Sequence, residues 1–276
     1  METIGAIAAY LGSALLAAGV GLGLVLGPAA LALALTSVTS SFSERNLLFL
    51  LGPRAYLATF GWLGTAVHEL SHALMCLVFR HRVTELRLFD PSLKKGAIGY
   101  VEHEWTPGSL YQKIGNFFIG IAPLIMGSGL LAGAGWLLLD GTGPSQVPGT
   151  LYPSNSLLFD TFHHAADAIA ALASAACPTD WRWWLLLYLA IAVGASINLS
   201  LADLEGSLHG LGLIALATAL FYLATHWAWD WNAILAGRIA AIHGPLLALL
   251  LLVSGLNLAV GLVAFALRRL LRGQTR

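Results

Sequence analysis

Residues 68–72 read His68-Glu69-Leu70-Ser71-His72, the spacing H-E-x-x-H. On a helix, positions i and i+4 share a face, so the two imidazoles can converge on one point. Neutral imidazole is a good ligand for Zn2+, which takes four ligands in a tetrahedron. Glu69 projects near the position that such a metal leaves open. There it can take a proton from a zinc-bound water, whose pKa falls to about 7, so that the resulting hydroxide attacks a peptide carbonyl. A shuffled chain of this composition carries about 0.007 copies of the pattern.

Two histidines leave such a site short of a third protein ligand. The stretch Ser196-Ile-Asn-Leu-Ser-Leu-Ala-Asp-Leu-Glu-Gly206 offers Asp203 and Glu205, and either supplies a carboxylate oxygen. Ser200 and Asp203 are three residues apart and can share a helix face. Cys76, four residues after His72, is the residue that would close a purely structural site with a fourth protein ligand. The remaining histidines fall on the hairpin, loops and helix ends described next.

The elements that must hold these residues are apolar. Of 276 residues, 58% are hydrophobic and 10% charged, and mean hydropathy is +0.77. Soluble domains carry about 25% charged residues, so the natural solvent is a bilayer. Formal net charge is zero, which gives no bulk signal for nucleic acid. The cysteines, Cys76 and Cys177, form no metal motif and read as free thiols. Residues 3–43 carry no charged side chain, and without a basic start this run reads as a retained membrane segment rather than a signal peptide.

The expected fold is an all-α polytopic membrane protein, one domain over 1–276, with about six spans. These cover 4–36, 56–79, 114–139, 183–201, 208–227 and 242–267. The first is too long for one straight span, and Gly27-Pro28 is the expected kink or split. Arg80, Arg82, Arg87, Lys94, Lys95 and Lys113 lie between spans two and three, and Arg268, Arg269, Arg272 and Arg276 follow span six. An even count of spans puts both groups, and both termini, on the cytoplasmic side of a cell membrane. Trp181, Trp183, Trp184, Trp227, Trp229 and Trp231 then form an outer aromatic belt. Within 80–112, Val83 to Phe89 and Ala97 to His103 read as a cytoplasmic β-hairpin, turned by Asp90-Pro91-Ser92 and Lys94-Lys95-Gly96. Residues 140–180 read as an outer loop with one interfacial helix over Leu157 to Ala176. Asn116 and Gly120 read as close-packing devices on span three.

A membrane helix with H-E-x-x-H, then a short hairpin, then Asn198 followed by an acidic residue before Gly206, resembles the site-2 protease family of intramembrane zinc metalloproteases. The resemblance covers about residues 56–210. The family's second motif runs from Asn through prolines to Leu-Asp-Gly, its Asp being the third zinc ligand. Here no proline intervenes and Glu205 precedes Gly206, while Asp203 sits in a Ser-x-x-Asp-x-x-Gly arrangement that resembles divergent bacterial members. The resemblance implies one Zn2+ per chain on His68, His72 and Asp203, with Glu205 the alternative, and Glu69 as base. It implies a role for Asn198 in holding the substrate or the oxyanion, and a hairpin strand that pairs with an unwound substrate. The expected partners are a transmembrane or membrane-associated protein substrate, the lipid bilayer and a regulatory membrane partner. The competing reading is a non-catalytic zinc-binding membrane scaffold or transporter-like protein. Membrane proteases of the CAAX type differ in pairing glutamates.

Overall fold

The computed structural model describes residues 2–91, 97–139 and 179–273, with positions 163, 166, 167 and 170 between them. Apart from those four positions, the helix expected over 157–176 falls outside these residues, as do the hairpin tip with Lys94 and Lys95, and Cys177. Helix α1 spans Glu2–Tyr56. A π-helical turn, Leu57–Gly61, joins it to α2, Trp62–Val78. Strands β1, Arg82–Arg87, and β2, Tyr100–Glu104, follow. Then come α3, Leu110–Gly120, and α4, Ala122–Leu138. Beyond the central gap lie α5, Trp181–Gly194, a 3-10 turn at Ala195–Ile197, α6, Leu201–Thr225, and α7, Trp231–Gly273.

Among the described residues, three helices are long and apolar enough to cross a membrane: the run Thr3–Val78, α6 and most of α7. Helices α3 and α4, bent by 55° at their junction, make a fourth if the pair counts as one span. The chain is therefore helical and membrane-like, with one small sheet. Six separate spans are not seen among the described residues, and the reasons are local.

The chain does not break at Gly27-Pro28. Helix α1 continues through that pair, and its non-helical residue is Gly52, at φ 77° and ψ 158°, just before Pro53. Only glycine adopts that backbone cheaply. The polar run 36–46, which looks like a gap between spans, is helix as well. Three of its hydroxyls bond back to the helix itself: Thr36 Oγ1 donates to the Ala32 carbonyl at 2.9 Å, Thr39 Oγ1 to the Leu35 carbonyl at 3.0 Å and Ser40 Oγ to the Ser37 carbonyl at 3.2 Å. Self-satisfied hydroxyls can be buried in an apolar layer.

The same hydroxyls join α1 to α7. Thr36 Oγ1 lies 2.8 Å from Ser254 Oγ. Asn232 Nδ2 donates to the Ala17 carbonyl at 3.1 Å, and Arg268 Nη1 to Asn46 Oδ1 at 3.4 Å. Residue numbers rise together along both helices, so α1 and α7 run parallel. This sets residues 2 and 273 at opposite ends of the pair, where the charge-based expectation had both termini on one side. A core of Leu124, Leu131, Val193, Ile197, Leu250 and Val253 fills the space where α4, α5 and α7 meet.

The hairpin forms where expected, with trimmed edges. Strands β1 and β2 pair antiparallel, Val83 opposite His103 and Arg87 opposite Tyr100, with a bulge between Val83 and Glu85. Helix α3 packs on α6 through Gly120, where a Cβ would collide with Ser207 Oγ and the Asp203 carbonyl. That contact bears out Gly120 as a packing residue. Gly120→Ala should destabilise the detergent-solubilised protein by about 1–3 kcal/mol, as overpacked sites do. Gly129→Ala, with nothing near its Cβ, should leave the thermal midpoint unchanged or slightly raised.

Candidate metal centre

Three helix breaks meet at one point. The first ends α3. In a continuous helix the Ile119 carbonyl would accept from the amide of residue 123, but Pro123 has no N–H. Pro123 stands in the first turn of α4, and the Ile119 carbonyl is free to bond His72 Nδ1 at 2.8 Å. The second break follows α5. There the Ser196 carbonyl bonds His68 Nδ1 at 2.7 Å. The amide that would have claimed it, Ser200 N–H, donates instead to Asp203 Oδ2 at 2.7 Å. The third is the start of α6. Asp203 N–H donates to Ser200 Oγ at 3.1 Å, completing a reciprocal capping box.

A carbonyl only accepts, so each histidine Nδ1 carries the hydrogen. Each Nε2 then presents a lone pair. These two atoms lie 3.1 Å apart. Asp203 Oδ1 lies 3.2 Å from His72 Nε2, and Asp203 Oδ2 3.6 Å from His68 Nε2. Three electron-rich atoms within 4.8 Å of one another form a group that could hold a metal ion. The histidine tethers are the outer-shell contacts that fix tautomer and ring orientation in metal sites. Asp203 also sits in the first turn of α6, where the helix N-terminus favours negative charge.

Asp203 therefore joins His68 and His72, and Glu205 does not. The Glu205 side chain is exposed and outside the group. Asp203 belongs to the start of α6 rather than to the end of the preceding span, because the chain leaves helical geometry at Asn198. Ser200 and Asp203 are paired by the capping box. Cys76 is fully buried and also outside the group.

The group opens into a cavity of about 620 Å³. Glu69 lines it, is 8% exposed, and makes no hydrogen bond or ion pair among the described residues. The hairpin lies directly over it. A Cβ on Gly99 would strike Glu69 Cγ at 2.8 Å and Thr65 Cγ2 at 2.6 Å, so only glycine lets the strand approach so closely. Asn198 lines an adjoining space with Thr65, His68 and Glu69. Its Oδ1 accepts from Ser37 Oγ, which ties it to α1.

Two features of the wall were missed or undervalued from sequence. Asn116, assigned to packing, lines the main cavity, is 7% exposed and makes no hydrogen bond among the described residues. An amide among the apolar residues of the second half of α3 is the signal that marks it. His103 and His209 line the cavity too, and His209 Nδ1 is occupied by the Glu205 carbonyl at 3.0 Å. Comparison with family models, curated proteins and solved structures finds no match to this chain.

The tethers predict a graded loss of metal, read by elemental analysis of detergent-purified protein. Asp203→Ala should weaken binding more than the 10–100-fold typical of outer-shell changes, and Glu205→Ala should not weaken it. Pro123→Ala restores an N–H that competes for the Ile119 carbonyl, and should weaken binding by about tenfold.

Proposed function

We propose that the chain is an intramembrane zinc metalloprotease that hydrolyses peptide bonds of membrane-embedded or membrane-proximal proteins, as its resemblance to the site-2 protease family implies. One observation carries the reading. A buried carboxylate with no hydrogen bond or ion pair among the described residues, Glu69, stands in the same cavity as a His-His-Asp group that could hold a metal ion. A carboxylate in an apolar helix costs at least about 2.5 kcal/mol. A purely structural metal site gives no return on that cost.

The donor set suits zinc, which favours imidazole nitrogen with a carboxylate at catalytic sites. Zinc bound there would polarise a carbonyl and acidify water toward a pKa of about 7. His68 and His72 are held ready by the Ser196 and Ile119 carbonyls. Glu69 accepts the proton of the attacking water and returns it to the departing amine nitrogen. The burial of Glu69 under Gly99 keeps bulk water from competing for it. The Asn116 amide stands where a substrate carbonyl can be met by an N–H. Strand β2 borders the cavity through Tyr100, Val101 and His103, which supports pairing with a locally unwound substrate. Arg80, Arg82, Arg87 and Lys113 around the hairpin support a cytoplasmic position for it.

The scaffold reading asks for a fourth protein ligand, and Cys76 lies outside the group. Glu69→Gln decides between them. With fluorescein-labelled casein as a generic extended substrate, the variant should keep its metal and lose about 10²–10⁴-fold in hydrolysis rate. Hydrolysis at the parent rate would remove Glu69 as the base.

A further inference from the structure

Strand β2 alternates. Glu102 and Glu104 face outward, while Val101, His103 and Trp105 turn inward to the cavity wall. His103 does not stand alone. Its Nδ1 lies 3.1 Å from Nδ1 of His81, and His81 Nε2 lies 2.9 Å from the Gln112 carbonyl. The carbonyl can only accept, so His81 Nε2 carries a hydrogen and, in the neutral ring, His81 Nδ1 carries a lone pair. His103 must then donate through Nδ1. Its Nε2 is left as an acceptor, with no partner among the described residues.

The chain goes to some trouble to place His81. Helix α2 ends in a Schellman turn, with the His81 amide on the Cys76 carbonyl at 2.8 Å and the Arg80 amide on the Leu77 carbonyl at 3.2 Å. The left-handed residue of this turn is usually glycine. Here it is Arg80, at φ 57°, a conformation that costs a residue with a Cβ about 1 kcal/mol or more. The result is a His81 ring only 4% exposed, with Trp105 lying nearly parallel to it. Gln112 locks the arrangement: its Nε2 donates to the Arg80 carbonyl at 2.6 Å, and its Oε1 accepts from Thr106 N–H at 2.6 Å.

We infer that His103 is a substrate-binding residue whose Nε2 accepts a main-chain N–H of the bound peptide, and that His81 fixes the tautomer that makes it an acceptor. This rests on the peptide-cleaving reading of the same cavity. An extended peptide brings one N–H donor per residue, and each must be met once the cavity closes around it. The metal group and Asn116 address its carbonyls, and Glu69 is committed to the water. His103 and His209 both line the wall with an imidazole acceptor to spare, and His103 is the one carried by the strand. Burial, the largest cause, holds its pKa below the ordinary histidine value, which favours the neutral, accepting ring.

Binding is separable from hydrolysis. The protein would carry Glu69→Gln and be loaded with zinc in detergent, with fluorescein-labelled casein as the probe, read by polarisation. Adding His103→Phe should weaken binding about tenfold, the loss of one hydrogen bond. His103→Gln keeps an oxygen acceptor and should stay within about threefold. His81→Phe frees the His103 tautomer and should fall between the two. Equal zinc content across the set shows that the fold survives. Casein affinity unchanged by His103→Phe, or no casein binding by the Glu69→Gln parent, overturns the inference. Binding that follows this pattern while the unsubstituted chain hydrolyses nothing would sink the protease reading and leave this one standing.

Discussion

A backbone carbonyl inside an apolar layer must find a hydrogen within the protein, because no water is there to supply one. Every helix end therefore sets free a polar group that demands a partner. This chain brings three helix ends to one place and gives each a task. The Ile119 carbonyl, released by Pro123, orients His72. The Ser196 carbonyl, released because Ser200 N–H turns to Asp203, orients His68. The start of α6 presents Asp203 itself. The breaks in the helices and the ligand group are thus one structure. Mending any break would remove the tether that holds a ligand.

The hairpin depends on the same frame. It leaves α2 through Arg80 and re-enters α3 near Gln112, and the two ends are stapled together by Gln112. Between them the chain folds back until Gly99 touches Thr65 and Glu69. The cavity thus has a floor of candidate metal ligands built from helix ends and a wall built from β2. The histidine pair His81 and His103 links that wall to the end of the ligand-bearing helix. A shift of the hairpin would be felt at α2, two turns from His72.

What was legible from sequence was the residues of the candidate site rather than their geometry. The pair His68 and His72, the buried Glu69 between them and the β-hairpin follow from spacing and composition, and all are where those signals put them. Asp203 was separable from Glu205 only by structure, although Ser200-x-x-Asp203 is a capping box that can be read directly. Helix boundaries were the weak point. By sequence the first segment ends at residue 36 with a kink or split at Gly27-Pro28, yet Pro28 is carried within the helix and the helix continues through Thr36 and Thr39, whose hydroxyls bond their own turn. The break at Gly52 depends on a backbone angle that composition does not reveal. Asn116 was assigned to packing together with Gly120; both line the cavity, and Gly120 also packs against α6.

Zinc-edge X-ray absorption on the purified protein tests the central claim most directly, since it reads the ligands of a bound ion without any substrate. The account predicts about one zinc per chain, with nitrogen and oxygen neighbours near 2.0–2.1 Å, an imidazole signature for two histidines, and no sulfur. A sulfur neighbour near 2.3 Å would place Cys76 on the metal and make the site structural. No zinc retained by well-folded, unchelated protein would contradict the account at its root.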